Sequence, residues 1–444
     1  MERLEDRVLL TFDPTGFEQE MLEHLNRMRT DPQGELDILL SSHPDPLQSN
    51  DPDVQAAIDF FQVDGATLET QWASLTAVPA LTWDESLYAA AEAHNLEMIA
   101  ADQQSHQLPG EEGLLTRIVN AGYDWSSSIT VGENIYAYAE SVFHAHAGFA
   151  IDWGNNPPSG IQPGVGHRMN MMSAEFQEVG IRITPETVAA TDVGPLVITQ
   201  DFAADGTTRN AYVLGTVFHD GDDNDRYDDG EGLSNITLTF EDDSGSTSTT
   251  SLTAGGYQIA LPPGTYTATA AGTGLPVPIQ IEGIEVAGQN GISGGVFQNF
   301  NVKVDFNAAN IPTLSVEVAA PTVTEDAGST ATTAVVTRSG DLTEELVVTL
   351  ASSNSNKITV PASVVISAGS ATSAAFVLDA IDDSALTGDA TISVEASATN
   401  HIPGSDTLIV TDVETVSMTA PSGIHDSASP QFKWTSVGNV HRYD

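Results

Sequence analysis

The sequence predicts a multi-domain chain, an α/β domain over residues 17–203 followed by all-β sandwich modules, and three observations carry that reading. Its 444 residues exceed what one hydrophobic core organises, since domains run to about 100–200 residues. Helical periodicity of apolar residues is confined to the part before residue 203. Beyond Tyr212 the chain becomes rich in Thr, Val, Ser and Gly and alternates with period two, as half-buried strands do. A hydrophobic content of 40% suits folded domains, and 37 Gly with 22 Pro supply the turns that short strands need.

In the first predicted helix Phe17, Met21, Leu25 and Met28 share one face, and Pro32 ends it. A second helix follows Trp83, with Asp84 as its cap and Leu87, Ala91, His94 or Asn95, and Met98 as its buried stripe. His94 reads there as a packing residue. Residues 42–80 form an acidic stretch with one amphipathic piece, Val54 to Phe61, expected to be an insertion that covers the domain. Three β segments follow, 210–306, 312–413 and 416–444, behind a head segment 1–16. Strand composition marks Val213–Phe218, Ile236–Phe240 and Gly264–Thr269. The last segment reads as the start of a further sandwich, truncated at Asp444.

Against 62 acidic residues stand 14 Lys and Arg, a formal net charge of −48. Such a chain repels phosphate backbones and anionic membrane surfaces, so nucleic acid is excluded as a partner. Self-repulsion on this scale needs counterions or bound divalent cations, or serves solubility alone. With no cysteine, disulfides, thiolate zinc sites and Cys nucleophiles drop out together. No run reaches the ~18–20 apolar residues of a membrane span, and Met1–Leu10 lacks the apolar core of a signal peptide. That opening does resemble a short head found on exported bacterial proteins.

Four segments then fall in a telling order: Leu81–Trp83 before the Ala-rich helix, His106, Gly132–Ile135 (Gly-Glu-Asn-Ile), and Gly166–Asn170 (Gly-His-Arg-Met-Asn) followed by Phe176–Ile181. Together with a closing strand Ile198–Phe202 they resemble the CAP (SCP-like) family over residues 17–203. The resemblance implies a three-layer α-β-α sandwich with a cleft where two His and two acidic residues converge. Carried over by motif these are His106, Glu133 and His167, with Asp152 as the fourth, three residues after the aromatic Phe149 and one methylene shorter than the family's Glu.

Two neutral imidazoles with a carboxylate suit a divalent metal such as zinc, while each carboxylate can instead orient an imidazole through its second nitrogen. The short Asp152 favours that orienting role. The bland alternative is a buried hydrogen-bonded network that pins helix to sheet. His144 and His146 read as solvated helix residues, and Glu178 and Asn170 as structural. No Gly-x-Ser-x-Gly elbow, His-Glu-x-x-His helix or phosphate loop occurs, so catalysis has no motif behind it.

The loop Asp220–Glu231 puts Asp220, Asp222, Asn224, Asp228 and Glu231 at positions 1, 3, 5, 9 and 12, with the Arg226 carbonyl at 7, a calcium spacing. Its flanks are strands, and Asp225 stands where an EF-hand has Gly. The stretch 210–306 resembles a B-type repeat of bacterial surface adhesins; the competing reading is a solvated acidic turn. Residues 312–413 resemble a Calx-β module, which carries weak calcium ligands over to Glu325, Asp382 and Asp383. Removing calcium is expected to loosen the 210–306 module and leave the helical domain's melting unchanged.

The sequence thus points to a secreted or cell-surface CAP-like protein. Its head would bind a divalent metal or an extracellular or matrix ligand, carried on calcium-stabilised spacers, with calcium and zinc as candidate cofactors. The rivals are an extracellular metal-dependent hydrolase and a structural matrix or adhesion protein.

Overall fold

The computed structural model describes residues 12–414, apart from 127, 189–190, 310 and 384, together with the strands Met418–Ala420 and Lys433–Trp434. The head expected over 1–16 lies outside the described residues as far as residue 11. The further sandwich expected from 416 lies outside them except for that strand pair. The chain forms two compact units, Met1–Leu275 with Gln280–Ala309, and Pro276–Ile279 with Asn310–Asp444.

Helix α1 (Gly16–Thr30) starts in a capping box: the Thr15 hydroxyl accepts from Glu18 N, and the Glu18 carboxylate accepts from Thr15 N. Met21, Leu22, Leu25 and Met28 are fully buried, each worth about 1.5–3 kcal/mol of transfer free energy. Phe17 departs from the expected face and stays 40% exposed. Pro32 opens α2 (Pro32–Leu39) at the position where its missing N–H costs nothing. The 42–80 insertion holds two helices, α3 (Pro52–Phe61) and α4 (Gly65–Trp72), capped by Asp51 and Asp64. It is more than a cover, because Trp72 is fully buried and its indole N–H donates to Pro32 O at 2.6 Å.

After β1 (Thr82–Trp83) comes α5 (Glu85–Ala101), capped as expected by Asp84, whose carboxylate accepts from Ser86 and Leu87 N–H. Then follow α6 (Leu114–Asn120), β2 (Ile129–Ala139), α7 (Val142–Ala147), a π-helical turn (Gly148–Asp152), α8 (Gly166–Met171), β3 (Glu178–Pro185) and β4 (Leu196–Asp205). The sheet order is β1-β3-β4-β2, with only β1 and β3 parallel. Strand alternation separates two cores. Ile198 and Phe202 of β4 pack with α1 and the 142–151 helical stretch, whereas Val197 and Ala203 pack with Met98 and Leu87 of α5. This is the α-β-α sandwich. Gly180 makes the close approach of α5 possible, since a Cβ there would lie 2.1 Å from backbone atoms of Leu87 and Tyr88.

The chain continues into β5 (Arg209–Phe218), β6 (Thr237–Asp242), β7 (Gly245–Thr250), β8 (Gly256–Leu261), β9 (Gly264–Ala271), β10 (Ile279–Val286), β11 (Gln289–Ser293), β12 (Val296–Gln298), β13 (Val302–Lys303) and β14 (Phe306–Asn307). One sheet runs β10-β9-β6-β7, and the other is built around β5. Phe240, Tyr257 and Phe306 pack between them. This module and the helical domain belong to one compact unit, joined by a polar seam. Asn301 Nδ2 donates to Ala80 O and Gln177 O, Asn299 Nδ2 to Ala80 O and Phe176 O, and Gln258 Oε1 accepts from Thr82 Oγ1 and Trp83 N. Lys303 Nζ adds an ion pair to Glu23 at 2.6 Å. A freely jointed spacer would leave these buried amides unmatched.

The second unit is a two-sheet sandwich. One sheet is β15 (Leu314–Val318), β17 (Thr332–Arg338), β21 (Phe376–Ala380) and β19 (Ile358–Thr359). The other is β16 (Thr322–Thr324), β23 (Gly404–Thr411), β22 (Ala390–Ser397), β18 (Leu346–Ser352) and β20 (Ser363–Ile366). Leu314, Val316 and Val318 point inward while Ser315 and Glu317 are exposed, the period-two pattern that the sequence displays.

Candidate functional site: two imidazole–carboxylate pairs beside an aromatic pocket

His106 and His167 each give Nδ1 to a carboxylate, at 2.8 Å to Glu133 Oε1 and 2.9 Å to Asp152 Oδ1. A carboxylate accepts only, so each Nδ1 carries the proton and each Nε2 keeps its lone pair for the outside. The acids are held from behind. Asn170 Nδ2 donates to Glu133 O and Asn134 Oδ1, and Asn134 Nδ2 donates to His167 O, which ties the two pairs through β2.

Asp152 ends the π-helical turn at φ 60°, a left-handed backbone that Asp tolerates better than Glu or Ala. Fully buried, it also accepts His167 N at 3.0 Å and Arg168 N at 3.4 Å. The shorter side chain is therefore what the turn demands, and its role is to orient His167.

Around Glu133 the structure gathers groups that the sequence reading missed. Arg117 donates to Glu133 and to His106 O, and His94 sends Nδ1 to Glu111 at 2.7 Å, so His94 is more than a packing residue. Burial works against the charge on Glu133, but the His106 hydrogen bond and the His94 and Arg117 charges outweigh it and hold the carboxyl below its usual range. Asp201 lies opposite Glu133 across the β2–β4 ladder, fully buried, with no donor on either oxygen. Burial first, and then the Glu133 charge, push its carboxyl well above the usual carboxylate range. Strand alternation was the available signal, since it places Asp201 on the buried face of Thr199 and Ala203.

The expectation that His144 and His146 are solvated is wrong. They are 6% and 0% exposed, because α7 buries every residue but Phe143. His146 Nε2 bonds Glu35 at 2.8 Å, and the His144 ring stacks on Trp153 at 5.5 Å and 30°. Glu178 and Asn170 are structural as expected, Glu178 accepting from Tyr123 and pairing with Arg209.

His167 lines a cavity of about 230 Å³ walled by Phe61, Tyr136, Tyr138, Phe149 and Trp153, with Gln104 and Gln162 at its edge. Among the described residues, the groups of three or more acids and histidines that fit around one ion lie elsewhere, at Asp220, Asp222 and Glu231 and at Glu325, Asp412 and Glu414. The cleft four do not assemble a three-ligand zinc site, because both carboxylates are spent on Nδ1 atoms.

Residues 22–200 match the family model for CAP, the cysteine-rich secretory protein family. They form a CAP domain. No curated protein matches the chain significantly. Among solved structures, an extracellular protein containing an SCP domain from Bacillus anthracis shares 21% identity over 36% of this chain and 44% of its own, at TM-score 0.21. The chain thus spans under half the length of that protein. A putative carbohydrate binding protein from Bacteroides uniformis shares 11% over 46% and 99%, at TM-score 0.18. The major pilin subunit BcpA of Bacillus cereus shares 9% over 47% and 71%, at TM-score 0.21. At such scores these likenesses carry no argument.

Beyond the CAP domain, the loop after β5 brings Asp220, Asp222 and Glu231 to within 4.8 Å of one another, an all-oxygen donor set that suits a hard cation. Asp225, at the position where an EF-hand has Gly, takes φ 59°. Asn224 Nδ2 donates to Asp228, and Asn224 Oδ1 accepts from Arg226 N, so both residues serve the loop's own turns in this structure. In the second unit the expected trio of Glu325, Asp382 and Asp383 is not assembled. Lys357 Nζ binds Glu325 at 2.7 Å and Asp383 at 2.9 Å, an internal cation that stands between the two carboxylates, and Glu325 groups with Asp412 and Glu414 instead.

Proposed function

We propose that the chain is an extracellular CAP protein whose head binds a small ligand at the pocket beside His167, carried on acidic β-sandwich modules. The observation that supports this most directly is the fixed His167: buried Asp152 holds its Nδ1, which leaves Nε2 as the acceptor of an imidazole that lines a preformed aromatic cavity. His106, 60% exposed on its own buried Glu133, offers a second acceptor. A metal-dependent hydrolase needs a third protein ligand that the four cleft residues do not supply. No helix among the described residues is long and apolar enough to cross a membrane.

The module at 210–306 is proposed as a B-type adhesin-like domain with calcium held by Asp220, Asp222 and Glu231, the Arg226 carbonyl and, once their side chains turn inward, Asn224 and Asp228. The module at 312–413 is proposed as Calx-β-like, with Lys357 limiting it to a weak ion at most. A fragment library screened by thermal shift tests the head. Stabilising fragments that lose their effect in Tyr138→Ala, a substitution at a 43% exposed side chain, support the reading. A library without a single pocket-dependent hit overturns it.

A further inference from the structure

We propose that the pocket beside His167 takes a neutral sugar ring, an inference that rests on the ligand-binding reading above and names its chemical class. The walls come first. Trp153 is 4% exposed and is held from behind by the stacked His144 ring, while Phe149 lies between Tyr136 and His167 at centroid distances of 6.1 and 5.3 Å. These are rigid aromatic faces of the kind on which the C–H face of a pyranose packs. The floor is cleared by Gly148, where a Cβ would stand 3.1 Å from the Tyr136 ring and 3.2 Å from that of Trp153. At the mouth stand Tyr138, 43% exposed, and Phe61, which the α3 insertion contributes together with its 80% exposed neighbour Phe60.

The polar edge fixes the class. Gln104 spends its carbonyl on Ala137 N at 2.8 Å, leaving its amide N–H as donor. Gln162 spends its amide N–H on Trp153 O at 3.1 Å, leaving its carbonyl as acceptor. His167 Nε2 is a further acceptor, and the Tyr138 hydroxyl both donates and accepts. Among the described residues, no Asp, Glu, Lys or Arg lines the cavity, so its walls offer no carboxylate, ammonium or guanidinium to pair with a charged ligand. A fatty chain would desolvate the amides and the imidazole and leave them without partners, which opposes its binding. A sugar ring presents an apolar face and a rim of hydroxyls that both donate and accept, and about 230 Å³ has room for one ring rather than an oligomer. The insertion that supplies Phe61 is then part of the recognition surface.

The test is saturation-transfer NMR on the full chain with glucose, xylose, N-acetylglucosamine and its dimer, beside indole and decanoate as apolar probes. The expected result is transfer to ring C–H protons of at least one sugar, weakened at least tenfold in Tyr138→Ala and in Gln104→Glu. The second variant keeps the acceptor for Ala137 N and exchanges the free donor for an anionic acceptor; unchanged melting of both variants verifies the fold. Binding of indole or decanoate alone, lost in Tyr138→Ala, would overturn the sugar class and leave the ligand-binding head standing. Binding by none of the probes, or sugar binding indifferent to both variants, overturns the proposal at this pocket.

Discussion

Replacing Asp152 separates charge from backbone geometry at the cleft. In Asp152→Asn the residue still tolerates φ 60°, but one of its two acceptor positions becomes a donor. If the amide oxygen stays on His167 and Arg168 N–H, its NH2 faces Nδ1 of His167 and forces the proton onto Nε2. Loss of one charge-assisted hydrogen bond at a fully buried site costs about 1.5–3 kcal/mol. Asp152→Ala loses all three bonds and places an ordinary Cβ in the left-handed region, which adds about 1–2 kcal/mol; Asp152→Gly is spared that second cost. The predicted order of stability is wild type, then Asn, then Gly above Ala, measured by urea unfolding. The tautomer follows from histidine ¹⁵N shifts, with the Nδ1–H form in wild type and the Nε2–H form in Asp152→Asn. Equal stability of all four proteins, or an Nε2–H tautomer in wild type, would refute the orienting role.

Calcium at a hundredfold excess over its dissociation constant is predicted to stabilise the first compact unit by about 2.7 kcal/mol, and Glu231→Ala to abolish the calcium-dependent part; a thermogram indifferent to chelator contradicts this. His24 is 3% exposed, and burial, with Arg27 beside it, holds its folded pKa well below 6.5. Because the unfolded state takes up that proton first, the stability is complete above about pH 6.5 and is lost as pH falls toward the folded value, at up to about 1.4 kcal/mol per pH unit. His24→Gln should flatten acid unfolding measured by circular dichroism, and an unchanged profile counts against it. Asn301 also accepts from Tyr212 N and Asn290 Nδ2, so Asn301→Ala removes two hydrogen bonds across the seam and two within its own module and should cost about 2–4 kcal/mol in urea unfolding, with the CAP domain and the 210–306 module of the wild type melting together. Two separate transitions in wild type would show the seam to be weak.

What the sequence made legible was local. The Asp84 cap and the stripe of Leu87 to Met98 are set by residues a few positions apart, and both lie where expected. What stayed hidden depends on partners far along the chain. Asp201 draws meaning only from Glu133 on a neighbouring strand, and His146 from Glu35, 111 residues away. The six residues of α7 are too few for a periodic pattern that would mark His144 and His146 as buried. Asn299 and Asn301 read as ordinary polar strand residues until the edge of the CAP sheet is laid against them. Lys357 disarms part of the acidic set in the second sandwich from a position no motif marks.

The central claim is that the cavity beside His167 is where the CAP head takes its ligand. A crystallographic fragment screen, sugars included, tests it most directly. Bound fragments are expected between Tyr138 and Trp153, with an oxygen or nitrogen donor on His167 Nε2. Fragments that cluster elsewhere on the CAP domain, with this cavity bare across the whole screen, would contradict it.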